Sequence, residues 1–380
     1  MDVAIFGAGV AGLAAAAALK MAGHSIQVYE KSAAGPGAAR PFEGARAAAR
    51  EGGGPLAAAG MGFLVTPDAL QALELLGVEL PGATPLRRYR HLDESGHALA
   101  EHDLHAGAAC IRRSTLVAAL LEALPKGRLD TQSGGLEGLE FDAHGAVAAA
   151  RLASGRLVQA ALYVGADGVR SRAREALYPC WPTATAPVLE IVGLTEDPHA
   201  HRRAGTDFRK FHARAGGLAF GLLPADGQSL VWYLQFDARR LSRLRLPRTA
   251  ADLRRFVHER VDGWADEVQQ AIAATDFERV HLWFPVDAAP LPRFDRPNLV
   301  LAGDAAHPLS PFTSQGVSSA IMDALALTRM LLEEQRLDRA LSRYSRERRR
   351  ACLPYVERGR QLTRLFLEAG GLEQLVPIAE

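Results

Sequence analysis

A glycine-punctuated junction near the N-terminus constrains this chain more than any other feature. The apolar run Val3–Phe6 leads straight into Gly7-Ala8-Gly9-Val10-Ala11-Gly12, and residues 11–22 are rich in Ala and Leu without proline. That composition favours helix, Gly23 is placed to end it, and Ser25–Tyr29 reads as a second strand. The product is a strand–helix–strand unit of about 30 residues, the length of a βαβ unit. In such a unit Gly7 permits the tight turn, Gly9 leaves room for a pyrophosphate, and Gly12 lets helix and strand pack closely. The helix N-terminus then offers free N–H groups and the positive end of its dipole to phosphates. With 36 glycines in the sequence, three at this spacing arise by chance about 0.3 times. The flanking pattern, not the match alone, carries the reading.

Glu30 closes the second strand, where a carboxylate accepts hydrogen bonds from both ribose hydroxyls of an adenosine and repels a 2′-phosphate. A pairing with Lys31 or solvent is the plainer alternative, and Lys31 joins the candidate cofactor set beside it. The Ala- and Gly-rich stretch 33–60 reads as loop with a short helix around 45–50. It is either a surface loop or a segment folded over a cofactor, with Arg40 or Arg46 on the phosphates. This unit alone does not separate FAD from NAD.

Further along, residues 67–76 and 115–124 have amphipathic helical spacing, and 157–164 reads as one strand. Residues 188–236 hold several strand-like runs with turns such as Asp226-Gly227, the pattern of an antiparallel sheet. Helical patterns follow at 250–261 and 265–274, then a short buried strand at 299–302, a helix at 316–332, and a long charged helix from about Leu337 to Ala369 with a break expected at Pro354. The basic run Arg343–Arg350 contains Glu347 and reads as a solvated helix face.

The bulk numbers allow two or three domains, or one large α/β unit with an inserted part: 380 residues, 48% hydrophobic and 23% charged. A formal net charge of +1 gives no whole-molecule attraction to nucleic acid or an anionic membrane. Cys110, Cys180 and Cys352 are far apart and outside any CxxC, so neither a disulfide framework nor a metal site is expected, and a cytoplasmic location fits. The uncharged run 3–19 superficially resembles a signal segment, but only Asp2 precedes it and glycines interrupt it. It is also short for a spanning helix, so no stable membrane insertion is expected.

Two more strand-to-loop junctions stand out. Leu162-Tyr163-Val164-Gly165-Ala166-Asp167-Gly168 runs into Ser171, Arg172 and Arg174, which reads either as a turn with an N-cap or as a carboxylate and cations beside a dinucleotide. Leu299-Val300-Leu301-Ala302-Gly303-Asp304 places a carboxylate at a strand end, fit for a polyol hydroxyl. Pro311, Gln315 and Gly316 follow at the start of a helix whose N–H groups can face an electron-rich ring edge.

In the order and spacing of these three motifs, from Asp2 to about Leu332, the chain resembles the FAD-dependent aromatic hydroxylases, single-component flavoprotein monooxygenases related to para-hydroxybenzoate hydroxylase. Ile111-Arg112-Arg113-Ser114-Thr115-Leu116 is similar to a family segment whose arginine contacts the flavin chain, and the spacing picks Arg113. The resemblance implies an α/β fold: a Rossmann-like FAD-binding domain interleaved with a mainly antiparallel β-sheet substrate domain, plus C-terminal helices. The expected boundaries are 1–70, 100–180 and 285–335 for the FAD-binding domain, 71–99 and 181–284 for the substrate domain, and 336–380 for the helical segment.

It also implies the chemistry. NADH or NADPH reduces FAD, O2 adds to give a flavin C4a-hydroperoxide, and an oxygen atom passes to an electron-rich aromatic or heteroaromatic ring. Asp167 falls on the motif implicated in FAD and NAD(P)H contact, and Asp304 on the ribityl contact. The amides of Gln315, Gly316 and Val317 face N1 and O2 of the flavin, and Pro311 walls one face. Where the family has Gly-Gln-Gly followed by Asn, this chain has Ser314-Gln315-Gly316 and Ser318. Serine does not readily adopt the positive φ that glycine tolerates. His212, Phe220, Tyr233, Gln235 and His281 are pocket candidates, while His307 is assigned to local loop structure.

A flavin reductase or dehydrogenase on the same fold, and a non-catalytic flavin-binding protein, are the alternatives. An NAD dehydrogenase leaves Gly303-Asp304 unexplained. The sequence allows a monomer or a homodimer.

Overall fold

The first strand, Asp2–Phe6, is the axis of the nucleotide-binding half. In the computed structural model, which describes residues 1–31, 62–104, 107–241 and 246–368, it pairs in parallel with Ser25–Tyr29 on one side and Leu162–Gly165 on the other. Leu299–Leu301 pairs in parallel with Leu162–Gly165, and Asp295-Arg296 closes that edge in the antiparallel sense. These short strands are apolar almost throughout because both of their faces are buried. Helix Val10–Met21 lies against helix Gly316–Glu333, and both share a core with the sheet.

The expected strand at 157–164 is two strands. Leu157-Val158 joins an antiparallel sheet with Leu136–Phe141 and Val147–Leu152, and the chain enters the parallel sheet only at Leu162. The Tyr163 hydroxyl accepts the Ala160 N–H at 3.0 Å and holds the step between them.

The second half is a seven-stranded sheet in the order His281–Trp283, Val188–Glu196, Ser229–Asp237, Leu218–Ala225, Asp207–His212, Arg88–Asp93, Ala98–Asp103. It is antiparallel except where Asp207–His212 runs parallel to Arg88–Asp93. Helices Ala250–Arg260, opened by a Thr249/Asp252 capping box, and Asp266–Ala273 cover one face. Strand Ala98–Asp103 crosses the boundary expected at residue 100. Helix Pro67–Leu75, split by the boundary expected at residue 70, packs wholly into the nucleotide-binding core through Ala69, Ala72 and Leu73.

The last helix, Leu337–Leu367, runs through Pro354 without ending. Pro354 lies on an exposed side, and the buried spacing Cys352, Val356, Gly359, Leu362, Phe366 continues across it. Tertiary burial therefore outweighs the roughly 3 kcal/mol that proline costs inside a helix. No helix among the described residues is long and apolar enough to cross a membrane.

Candidate active site

All three sequence motifs, and Glu30, leave the same edge of the parallel sheet. Gly7, Glu30, Asp167 and Gly303 each lie one or two residues past the carboxyl end of one of four adjacent strands. In open α/β sheets that edge is where nucleotides bind. Gly7 has φ +105°, and a Cβ there would lie 2.3 Å from the Ala166 carbonyl oxygen. A Cβ on Gly12 would lie 1.9 Å from the carbonyl oxygen of Gly7. Gly9 differs: a Cβ there would meet nothing within 4 Å. Two glycines thus serve internal packing, and the third borders open space at the helix N-terminus.

The charged groups around that space are held by backbone. Glu30 is buried and accepts the Ala8 N–H at 2.7 Å. Asp167 accepts the N–H groups of Arg172 at 2.6 Å and Ala173 at 3.2 Å through Oδ2, while its buried Oδ1 has no partner. Burial raises the Asp167 carboxyl above its ordinary value. Arg174 is buried and donates to the carbonyls of Asp304 and Ala305, at 3.1 and 3.2 Å, and of Val169, so it ties the second motif to the third. Crowding by the surrounding protein raises the Asp304 carboxyl, although its surface stays accessible, as in a cleft. His307, Arg113 and Arg174 pull it back. Burial likewise lowers Arg113, against the charges of Asp304 and Glu30, and its buried Nε has no partner.

The loop that leads into helix Gly316–Glu333 follows. Pro311–Thr313 form a short 3-10 turn, Ser314 adopts φ +52° and ψ 21°, and Gln315 opens helix Gly316–Glu333 with no side-chain cap on its first N–H groups. Ser314 is therefore a serine in the left-handed region, which costs roughly 1–2 kcal/mol relative to glycine. Ser318 is spoken for structurally: its hydroxyl accepts the Thr66 N–H at 3.0 Å.

Beneath this loop lies a buried cluster. Asp323 accepts the Gly303 N–H at 2.7 Å and pairs with His307 at 2.7 Å and Arg348 Nε at 2.6 Å. Burial opposes the imidazolium, but Asp323 beside it raises His307 well above its ordinary value. Against the same burial, His307 and Arg348 hold Asp323 below the usual carboxylate range. Cys352 is close by, 3.6 Å from Arg348. The guanidinium already supplies the positive charge that these groups ask of a cation. Arg348 thus corrects the reading of 343–350 as a solvated face, although Arg343 does pair with Glu333 and Glu334 at the surface.

The side of the large sheet turned towards the loop that carries Phe312 is polar in its middle. Register places Lys210, Gly221, Tyr233 and Val192 in one row and His212, Ala219, Gln235 and Glu190 in the next. His91 and Asp93 continue these rows on the neighbouring strand. His91 Nδ1 and His212 Nε2 are 3.0 Å apart, and Gln235 Nε2 donates to Glu190 Oε1 at 2.5 Å. Lys210 is buried, with its Nζ 5.0 Å from the Phe312 ring centre, 5.6 Å from Tyr233 and 5.9 Å from Phe366. Burial pushes its ammonium down to about 7, against the pull of Glu190. Each cation–π contact offers about 0.5–2 kcal/mol, against several kcal/mol for desolvating an ammonium, so the rings alone do not satisfy it. Burial also lowers His91 to about 3 and raises Glu190.

Comparison with known proteins settles the class. A family model described as FAD binding domain matches residues 113–358, well over half of the chain, and one described as NAD(P)-binding Rossmann-like domain matches residues 5–46. The chain belongs to the FAD binding domain family. It is 28% identical over 357 residues to 6-hydroxynicotinate 3-monooxygenase of Pseudomonas fluorescens, covering 87% of this chain and 82% of that protein. It is 26% identical over 357 residues to aurachin C monooxygenase/isomerase of Stigmatella aurantiaca, covering 90% and 84%. The fold matches Klebsiella pneumoniae HpxO complexed with FAD and uric acid, with TM-score 0.79, 24% identity and coverage of 99% and 90%. It also matches 2,6-dihydroxypyridine-3-hydroxylase of Arthrobacter nicotinovorans, with TM-score 0.78, 19% identity and coverage of 97% and 93%.

The protein is accordingly a flavoprotein monooxygenase with FAD as its cofactor, and the aromatic-hydroxylase resemblance and the α/β fold read from the sequence hold. The residues present fit FAD: the open face of Gly9, the orphaned Asp167 Oδ1 and Arg113 Nε, and the uncapped helix at Gly316 surround one edge of the sheet. Arg40 and Arg46 lie outside the described residues, and Lys31 is exposed at the end of the second strand.

Among the pocket candidates, His212, Tyr233 and Gln235 share the face turned towards the loop that carries Phe312, and His281 sits opposite Val192 on the edge strand. Phe220 is corrected. It stacks on Trp232 at 5.3 Å in the core under the two helices, on the opposite face, because its register partner Leu234 points there too. Lys210, Glu190 and His91 went unnoticed in the sequence. The only local signal is the every-second-residue set Phe208, Lys210 and His212 within one strand.

Proposed function

We propose that this monooxygenase hydroxylates an aromatic or heteroaromatic small molecule, with NADH or NADPH as electron donor and O2 as oxidant. The overall balance is Ar–H + NAD(P)H + H⁺ + O2 → Ar–OH + NAD(P)⁺ + H2O. The observation that carries the reading is the buried polar sheet face set against the flavin loop, with Lys210 next to Phe312. The match to the NAD(P)-binding model and the monooxygenase names of the relatives support it.

Bound FAD supplies the electron transfer and oxygen activation; the chain supplies position and field. In this reading Gly7, Gly9, Gly12 and Glu30 would hold the adenosine and pyrophosphate end, with Lys31 beside them. Arg113, Asp167 and Asp304 hold the linking chain. The amides of Gln315, Gly316 and Val317, at the positive end of an 18-residue helix, favour negative charge on the ring edge. Pro311 walls one face. His212, Tyr233, Gln235 and His281 orient the substrate ring.

The test is turnover of the purified holoenzyme under ¹⁸O2 across hydroxylated benzoates, pyridines, quinolones and indoles, with NADH and NADPH compared. A product heavier by one ¹⁸O atom, with NAD(P)H consumption stimulated by the same compound, is expected. Unchanged anaerobic turnover identifies a reductase or dehydrogenase instead. Bound FAD with no stimulated NAD(P)H oxidation by any compound identifies a non-catalytic flavin protein.

A further inference from the structure

Lys210 is 3% exposed, yet among the described residues its Nζ makes no hydrogen bond and no ion pair. Its nearest contacts are rings, and Glu190, the carboxylate that pulls on its charge, makes no ion pair with it among the described residues. Tyr233 can lie across the sheet towards it only because residue 221 is glycine, where a Cβ would fall 2.2 Å from the tyrosine Cζ. Buried polar atoms on the same face are orphaned as well: Oε1 of Gln235, Nδ1 of His212 and Nε2 of His91. Buried groups of this kind are ordinarily satisfied. Four unsatisfied groups on adjacent rows of one sheet face, beside the flavin loop, mark a surface built to be completed by a ligand. Their chemistry describes that ligand. An ammonium asks for an anion, Gln235 Oε1 asks for a donor such as a ring hydroxyl or N–H, and Phe312 and Tyr233 ask for an aromatic frame.

We infer that Lys210 anchors a carboxylate on the aromatic substrate, so that this site selects a hydroxylated or N–H-bearing aromatic acid over its neutral counterparts. The assignment rests on the hydroxylase reading for the role of the ligand as substrate, and Lys210 acts as a specificity-determining residue. Glu190, His91, His212 and Tyr233 also face this space. Glu190 is occupied by Gln235, which leaves Lys210 as the point of attachment.

The experiment is a binding titration of the oxidised holoenzyme without NAD(P)H, read by the change in flavin absorbance. Two matched pairs serve as probes: 4-hydroxybenzoate against 4-hydroxybenzamide, and 6-hydroxynicotinate against 6-hydroxynicotinamide. Within each pair only the charge changes appreciably. At least one carboxylate should bind tenfold or more tightly than its amide, and that ratio should fall to about one in Lys210→Met with FAD still bound. Equal binding within both pairs, no response to either carboxylate, or a ratio unchanged in Lys210→Met overturns the inference. The wild-type arm decides alone if the variant does not retain FAD. Because no reductant is present the titration reads binding alone, so anion selectivity here, with no oxygen insertion in the turnover test, defeats the hydroxylase reading and spares Lys210. Hydroxylation without anion selectivity does the reverse.

Discussion

The two halves of the active site are built by different means. In the proposed site the nucleotide side leans on backbone: glycines that admit close contacts, strand ends, and amide groups that also hold the carboxylates of Glu30 and Asp167. The substrate side is made of side chains from four strands, brought together only by register. His91, Lys210, His212, Tyr233, Gln235 and Glu190 are separated by up to 144 residues, from 91 to 235, yet share one sheet face. Backbone-built sites tolerate little substitution, because the atoms that would clash cannot move. Side-chain-built sites tolerate substitution structurally and change what they bind.

The sharpest way to break that contrast is at the first turn. Gly12→Ala places a methyl 1.9 Å from a carbonyl oxygen of the same loop. It should abolish FAD retention and lower thermal stability together. Gly9→Ala should leave the apoprotein's melting temperature within about 2 °C, because its methyl meets nothing within 4 Å and such surface changes stay within about 0.5 kcal/mol. FAD affinity should nonetheless drop tenfold or more. Equal effects of the two variants on apoprotein melting would show that Gly9 is also a packing residue.

A second contrast lies across the sheet. Phe220→Ala removes a buried ring stacked on Trp232 and should cost about 3–5 kcal/mol of stability, read by denaturant unfolding, with no selective effect on substrate. Tyr233→Phe removes one oxygen from the other face. It should change stability by less than about 1 kcal/mol while altering aromatic-probe affinity. Reversal of the two outcomes would exchange the two faces.

How much was legible in the sequence follows the same division. Gly7, Gly9, Gly12, Asp167 and Gly303-Asp304 are local patterns at strand ends, so flanking context and the resemblance singled them out, and the strands they follow are adjacent. Lys210 and Glu190 were not legible. Nothing in the sequence states that strand 207–212 lies next to both 88–93 and 218–225, or which of two alternating residues turns inward. Phe220 was misplaced for that reason: one step of register moves a side chain to the other face. Arg348 was hidden in a basic run whose other members are partly solvated, and only helix phase turns it towards Asp323. Pro354 does not end its helix because the burial on both sides of it outweighs its poor helix propensity, and that burial is set by tertiary packing, not by local sequence.

The Lys210 side gives a pH signature that the nucleotide side does not. Burial sets its ammonium at about 7 in the folded protein, while the unfolded chain holds the proton to higher pH. Folding stability therefore rises with pH between those limits, since the unfolded state binds the extra proton. Carboxylate binding runs the other way: it needs the ammonium. Affinity for a carboxylate probe should be flat below pH 7 and fall above it by up to tenfold per unit. His91 and His212 are depressed and Tyr233 is raised, so all three stay neutral there. Glu190, raised by burial, adds repulsion of the same sign if it ionises. Lys210→Met should remove the lysine part, and an unchanged profile in that variant would assign the effect to Glu190.

The smallest expected effect is at Ser314, where the two halves of the site meet. Its φ of +52° costs a serine about 1–2 kcal/mol, and glycine returns about 0.5–1 kcal/mol of that through the entropy of the unfolded chain. Ser314→Gly should therefore stabilise the protein by about 1 kcal/mol or less, a rise of roughly 2 °C in melting temperature. The more telling readout is the flavin. Glycine frees the peptide that carries the Gln315 amide, so the flavin spectrum and FAD off-rate should shift if the serine holds that amide in place. A melting temperature that drops instead would mean that the serine side chain makes a contact worth more than the strain it imposes, and the loop would then belong with the side-chain-built half of the site.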